Sequence, residues 1–438
     1  MTSAAPGAGI ATANSPPLSL PLGFFIAGPI ALIVLWGGMT LGASTLLTYY
    51  LLPADLAETH LATLGWITMV MFGALYQFTP VVFRTKLYSA RLGRIQFALY
   101  VAGVVTLVAS FKQMWTPGLG IGGSVVVLAV VLFLYNIART LLHRAAWTLS
   151  GQYIVHALFF LAATVAIGLT YALDLHFHWF AIPQHALAAH VHLGIAGWLG
   201  LTLMGVTYQL VPMFALVHGH DQRLARANLW LVTLSLLVLF SALLLGHPRA
   251  LIVAAATLLA AGEIAWAFDV YRMLRLRRRP LDLTQAHTIA STLALIATVP
   301  VGFGLLIHGP GSPAAQTRWY IAYALLALGG WFTLAIMGQY YKIVPFLVWH
   351  HRYSPLIGRE RVPLLREMYN GRRARIAFLV YLIGFCGAVL ALLAGSAMGL
   401  RAAATIALLG CVGWSWTLVE VLRPRRARTP SVAAGFQR

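Results

Sequence analysis

Two stretches of this chain, "PIALIVLWGGMTLGASTLL" from Pro29 and "LWLVTLSLLVLFSALLLG" from Leu229, contain no charged residue. A helix needs roughly 20 apolar residues to cross ~30 Å of hydrocarbon. Inside a bilayer only helices and closed barrels satisfy their own backbone groups. These runs are continuous rather than alternating, so they read as helices. Similar runs recur at about 21–47, 56–82, 94–113, 120–142, 150–173, 184–214, 226–246, 249–271, 284–308, 318–348, 374–394 and 400–421. The expected fold is therefore an all-α integral membrane protein of about twelve transmembrane helices. Composition agrees: 9% of the 438 residues are charged, where a soluble domain carries about 25%.

The net charge of +20 would suggest nucleic acid in a soluble chain. Here the basic residues fall in alternate loops: Arg84 to Arg94, His143 and Arg144, Arg223 and Arg226, Arg272 to Arg279, Arg352 to Arg375, and Arg423 to Arg428. The intervening loops hold Asp55, Glu58 and Asp174. That is the positive-inside pattern. The partner it implies is the lipid bilayer, not nucleic acid. It places a multi-pass protein in a bacterial-type inner (cytoplasmic) membrane with both termini cytoplasmic. Residues 1–20 and 429–438 read as tails, the first disordered. No cleavable signal peptide is evident. Cys386 and Cys411 lie in apolar spans and read as small hydrophobes.

The chain also repeats itself. "HLATLGWITMVMFGALYQFTP" begins at His60 and "HLGIAGWLGLTLMGVTYQLVP" begins at His192, 132 residues later. A partial third copy, "GGWFTLAIMGQYYKIVP", aligns Gly330, Trp331, Gly338, Tyr341 and Pro345 with Gly197, Trp198, Gly205, Tyr208 and Pro212. It carries Leu325 in place of His192 and Lys342 in place of Gln209. His156 and His287 stand 131 residues apart in the fifth and ninth spans. The fourth, eighth and twelfth spans end alike, at Arg139, Arg275 and Arg423. The expected unit is four spans used three times, giving pseudo-repeated four-helix arcs over 21–142, 150–271 and 284–421. Internal repeats are a common way to build membrane proteins.

Twelve helices in three arcs of four, with a His-headed second helix bearing Trp, Gly, Tyr and Pro, resemble subunit I of the heme–copper oxidase superfamily. The second-span block is nearest in look to nitric oxide reductases and related oxidases. The resemblance implies that His60 binds a low-spin heme and that His192 is the counterpart of a copper ligand. It implies heme b and copper as cofactors, and a cytochrome c or other small redox subunit as electron partner. In that family a His pair on the seventh helix and two His on the tenth complete the metal centres. Here the seventh span has no His, and the tenth has Tyr323, Ala324 and Leu325 in that region. The usual binuclear centre cannot be assembled from this set. The function expected is a heme-copper-oxidase-like protein binding a b-type heme or metal near the outer face and taking part in electron transfer. If the chain is an enzyme, it is an oxidoreductase of that superfamily. The alternative is a non-redox protein on the same fold, handling copper or heme or acting as a small-molecule permease.

Imidazole inside a bilayer is costly unless it pairs, ligates or meets water. His60 and His192 are thus cofactor candidates, each among small residues, against the simpler reading of a His bonded across a helix interface. His185, His190 and His192 at the start of the sixth span are metal candidates. His176, His178 and His308 belong to the same outer end and could join His60 in a metal or heme cluster there; His176 and His178 read rather as ordinary interfacial residues. His156 and His287 belong to the opposite end. His218, His220, His350 and His351 read as solvated loop residues. Glu263 reads as the one carboxylate well inside a span and a candidate for a proton path, and Lys342 as a side chain snorkelling to the interface.

Overall fold

The computed structural model describes residues 14–182, 184–307 and 311–424. Among these residues twelve helices are long and apolar enough to cross a membrane: α1 (Ser19–Leu41), α2 (Pro53–Val82), α3 (Ala90–Gln113), α4 (Thr116–Leu141), α5 (Leu149–Phe177), α6 (His185–Ala215), α7 (Arg223–Leu244), α8 (Arg249–Arg275), α9 (Leu283–Ile307), α10 (Pro313–Arg352), α11 (Gly371–Ala394) and α12 (Ala397–Leu422). No strand is present among them. The chain is a multi-pass, twelve-helix integral membrane protein. All twelve expected spans are found, and one ends early. α1 stops at Leu41, where Gly42 leaves the helix, and a short 3₁₀ turn at Thr45–Leu47 follows. The first thirteen residues of the expected N-terminal tail, the whole 429–438 tail and His308 lie outside the described residues.

Each helix packs on its successor in sequence, and α12 packs back on α1, closing the bundle. The tightest pairs are made by glycine. Gly103 of α3 faces Val126 of α4, and Gly384 of α11 faces Ala407 of α12. A methyl group on Gly384 would meet the Ala407 backbone, so only hydrogen fits there. Without a hydrophobic drive between helices in lipid, such close backbone contact is what holds them.

α2, α6 and α10 form the centre, and each has the same flaw at the same place. Leu61–Thr68, Leu193–Gly200 and Leu326–Phe332 are π-helical, with hydrogen bonds one residue wider than in an α-helix. A π turn frees carbonyls. Tyr100 of α3 donates to the Leu64 carbonyl at 3.0 Å and Tyr381 of α11 to the Gly329 carbonyl at 2.7 Å. Leu64 and Gly329 hold the same place in the repeat; α7 has no tyrosine for the third. Further along, each central helix carries the aligned proline, Pro80, Pro212 and Pro345.

The π turns send three buried indoles each toward a neighbouring central helix. Trp66 Nε1 donates to Thr333 Oγ1 at 2.9 Å, from α2 to α10. Trp198 Nε1 donates to Thr68 Oγ1 at 3.0 Å, from α6 to α2. Thr68, Gly200 and Thr333 are the same repeat position, so the third bond, from Trp331 to α6, meets a glycine. The Trp331 N–H is buried without a partner, and its ring edge lies 3.1 Å from where a Gly200 methyl would stand.

The glycines also fix the register of the neighbouring helices. Gly73, Gly205 and Gly338 face Phe24, Tyr153 and His287 on α1, α5 and α9. The structural counterpart of His287 is therefore Tyr153, not His156; the 131-residue spacing of the two histidines does not reflect equivalent positions.

Candidate functional site

His60 and His192 sit just before the π turns of α2 and α6, at the end of the bundle opposite the arginine-rich loops. Each has the same local geometry. His60 Nδ1 donates to the Leu56 carbonyl at 2.7 Å, and His192 Nδ1 to the Ala188 carbonyl at 2.8 Å. Each ring thus turns its lone pair to Nε2, which makes no hydrogen bond among the described residues. A metal-binding histidine is held in this way, its second nitrogen fixed on a carbonyl. The His60 ring is stacked on Phe111 of α3, with centroids 4.8 Å apart.

His190 is two residues from His192 and faces α5 instead. A methyl on Gly168 would come within 3.0 Å of its ring, and Tyr171 meets it edge-on at 5.8 Å. The Thr164 carbonyl accepts a hydrogen bond from the ring, and His60 lies within electrostatic reach. Nδ1 of His190 is buried without a partner. Next to Tyr171 a groove of about 300 Å³ opens at this end, lined by Ile167, Phe180 and Leu244 among others. His185 is exposed. Among the described residues no three His, Cys, Asp or Glu side chains lie together as a metal would need, so His185, His190 and His192 are not gathered around one point. His176 bonds Thr116 through Nδ1 at 3.2 Å, and exposed His178 ends α5.

The repeat places His190 opposite two different residues. Gly38, Gly168 and Gly302 face Glu58, His190 and Tyr323 in turn. Glu58 pairs with Lys112 at 2.9 Å. Tyr323 lies within electrostatic reach of Glu263. Glu263 itself is half-buried on α8 and forms no hydrogen bond among the described residues.

Glu263 is not the sole carboxylate within a span. Asp269 on α8 is 0% exposed. It accepts from His220 Nε2 at 2.9 Å and from Arg272 at 3.2 Å. His220 is therefore not a solvated loop residue: its side chain is 8% exposed and ties the α6–α7 loop to α8. The i, i+3 spacing of Asp269 and Arg272 was a readable sign; the loop histidine gave none. Lys342 pairs with Asp282, which precedes α9, at 2.5 Å. His156 bonds Thr233 at 2.9 Å. His287 is fully buried, with Nδ1 on the Leu283 carbonyl and Nε2 unpaired. Nearby, outside the spans, burial and then the Asp282 carboxylate hold the Tyr369 phenol above its ordinary pKa.

Fold and site together define a polytopic helical membrane protein whose central helices present unpaired imidazole nitrogens at one end. No known protein-family profile matches the sequence. One stretch of 68 residues is 38% identical to the cbb3-type cytochrome c oxidase subunit CcoN1 of Stutzerimonas stutzeri. The match covers 15% of this chain and 14% of that protein's length. In that stretch the chain is similar to an oxidase subunit, in accord with the resemblance read from the His-headed helices.

Proposed function

We propose that this chain is a heme–copper-oxidase-like membrane protein that holds a b-type heme near the outer end of the bundle and takes part in electron transfer, without a standard binuclear centre. The observation that carries the reading is the paired geometry of His60 and His192: each Nδ1 is locked on a carbonyl, and each Nε2 is left free. Donors of this chemistry suit heme iron. Phe111, stacked on the His60 ring, fixes the direction in which Nε2 points. When bound, heme supplies a one-electron redox centre. The residues of this chain bind and orient it, and the half-buried Glu263 is placed to hold a proton.

Three four-helix arcs over 21–142, 150–271 and 284–421 belong to the same reading, supported by the three π turns and the indole ring. So do a bacterial-type inner membrane, cytoplasmic termini, and a cytochrome c or other small redox subunit as partner. Copper is the weaker part, resting on His185, His190 and His192, which are not gathered. The purified protein, examined by visible spectroscopy with heme and metal analysis, tests the reading. A reduced b-type spectrum with about one heme per chain is expected, and oxygen- or nitric-oxide-reducing turnover close to none. A colourless, metal-free preparation from heme-replete cells overturns it. That result favours the second reading, a non-redox protein for copper or heme handling or small-molecule permeation, which the missing histidines of α7 and α10 support.

A further inference from the structure

The groove of about 300 Å³ at the outer end is walled by Ile167, Thr170 and Tyr171 of α5, by Leu244 of α7, by Ala186 of α6 and by Phe180 of the loop between α5 and α6. Ala186 is buried and forms its floor; Thr170, Phe180 and Leu244 are exposed and form its rim. The rim residues of α5 and α7 belong to membrane-spanning helices. The groove thus opens on the side of the bundle that meets hydrocarbon.

Its chemistry is that of an apolar site. Thr170 Oγ1 donates to the Ala166 carbonyl at 3.0 Å, and the Tyr171 hydroxyl to the Ala186 carbonyl at 3.0 Å. With both hydrogens taken, these side chains have none to give a polar ligand, and the rest of the lining is Ile, Phe, Ala and Leu. A buried water makes about three hydrogen bonds, and cavities that cannot supply them stay dry and take apolar ligands.

The depth of the groove identifies the occupant. From Ile167 to Phe177, the last residue of α5, a rise of ~1.5 Å per residue spans roughly 15 Å. That is half of a ~30 Å hydrocarbon core, the depth of one leaflet. At the upper end Phe177 and Trp179 are exposed and stacked, with centroids 5.2 Å apart. Aromatic rings so placed sit at the level of the lipid headgroups. The groove therefore begins at the headgroups and ends near the midplane.

We propose that this groove binds one acyl chain of an outer-leaflet phospholipid and holds it more firmly than the surrounding lipid. The acyl chain is the apolar material at its mouth and has the length of its wall. A chain seated there covers Tyr171, whose ring meets that of buried His190 edge-on at 5.8 Å, and keeps water from that side of the imidazole. The site is independent of the heme reading.

The test is native mass spectrometry of wild-type, Thr170→Trp, Ala186→Phe and Leu234→Trp proteins, washed extensively in detergent and then titrated with dipalmitoyl phosphatidylethanolamine. Wild type should retain a single phospholipid through the wash and regain it first in the titration. Thr170→Trp and Ala186→Phe fill the groove from its rim and its floor, and each should lower that retention several-fold. Thr170 is exposed, so its variant guards against an Ala186 variant that fails to fold. Leu234 is an exposed residue of α7 outside the groove, and Leu234→Trp should retain the lipid as wild type does. Wild-type retention by either filling variant overturns the proposal. So does equal loss in Leu234→Trp, which would make retention a property of the whole lipid-facing surface. A wild type that retains no lipid, or that retains an isoprenoid quinone in place of a phospholipid, overturns it as well.

Discussion

The α2–α6 and α6–α10 clefts are built on the same backbone positions and carry different chemistry. At the two equivalent positions the first carries His60 and His190 on α2 and α6, and the second carries His192 and Tyr323 on α6 and α10, with Glu263 within electrostatic reach of that phenol. The helices around them keep the same devices: a facing glycine, a π turn and a central tryptophan. The lesson is that the repeat supplies the scaffold, and single side chains at two positions per unit decide what a cleft can hold.

The largest effect expected from breaking this comparison is at His60. His60→Ala should lose essentially all heme, measured as heme per protein and as the reduced spectrum. Full occupancy with an unchanged spectrum would remove His60 from the site. The reverse experiment sharpens the contrast: Tyr323→His gives the second cleft a second imidazole beside that of His192. Heme or metal per chain should rise above the wild-type value; an unaltered ratio would mean that the clefts differ by more than this side chain.

Smaller effects should appear in the central ring, where two corners are bonded and one is open. Thr68→Val leaves the Trp198 N–H buried and unpaired and should cost about 1–3 kcal/mol of stability, read from thermal unfolding in micelles. Trp331→Phe removes an N–H that already lacks a partner. Its loss should be smaller than that of Trp198→Phe by about 1 kcal/mol; equal losses would show that the bonded corners contribute nothing. Gly200→Ser should have the smallest effect, a gain below about 1 kcal/mol. The new methylene arrives 3.1 Å from the benzo edge of Trp331, so the hydroxyl accepts from its N–H only after the indole turns.

The parts of this molecule that were legible in the sequence are those the bilayer and the repeat write redundantly. Twelve apolar runs had no other stable outcome in lipid. The His, Trp, Gly, Tyr and Pro of the second span were restated in the sixth and, in part, the tenth. What was not legible came from different helices meeting. Asp269 finds His220 across a loop, and no local pattern links them. The spacing of His156 and His287 misled, because loop lengths differ between units and only packed glycines show that His287 corresponds to Tyr153. His190 was read together with His192. Two residues apart on a helix, they point to different neighbours, and only the fold shows that His190 packs on Gly168 and Tyr171 of α5.

The indole ring has a bearing on permeation. Trp66, Trp198 and Trp331 are 0%, 3% and 1% exposed and converge from the three central helices. Beyond them the axis holds only an apolar void of ~50 Å³ between Phe25, Leu75, Leu203 and Tyr340, room for little more than one or two water molecules. A solute or ion moving along the bundle axis would have to pass three buried indoles, two of them hydrogen-bonded to neighbouring helices. Any passage of ions or small molecules is therefore confined to the clefts around that plug.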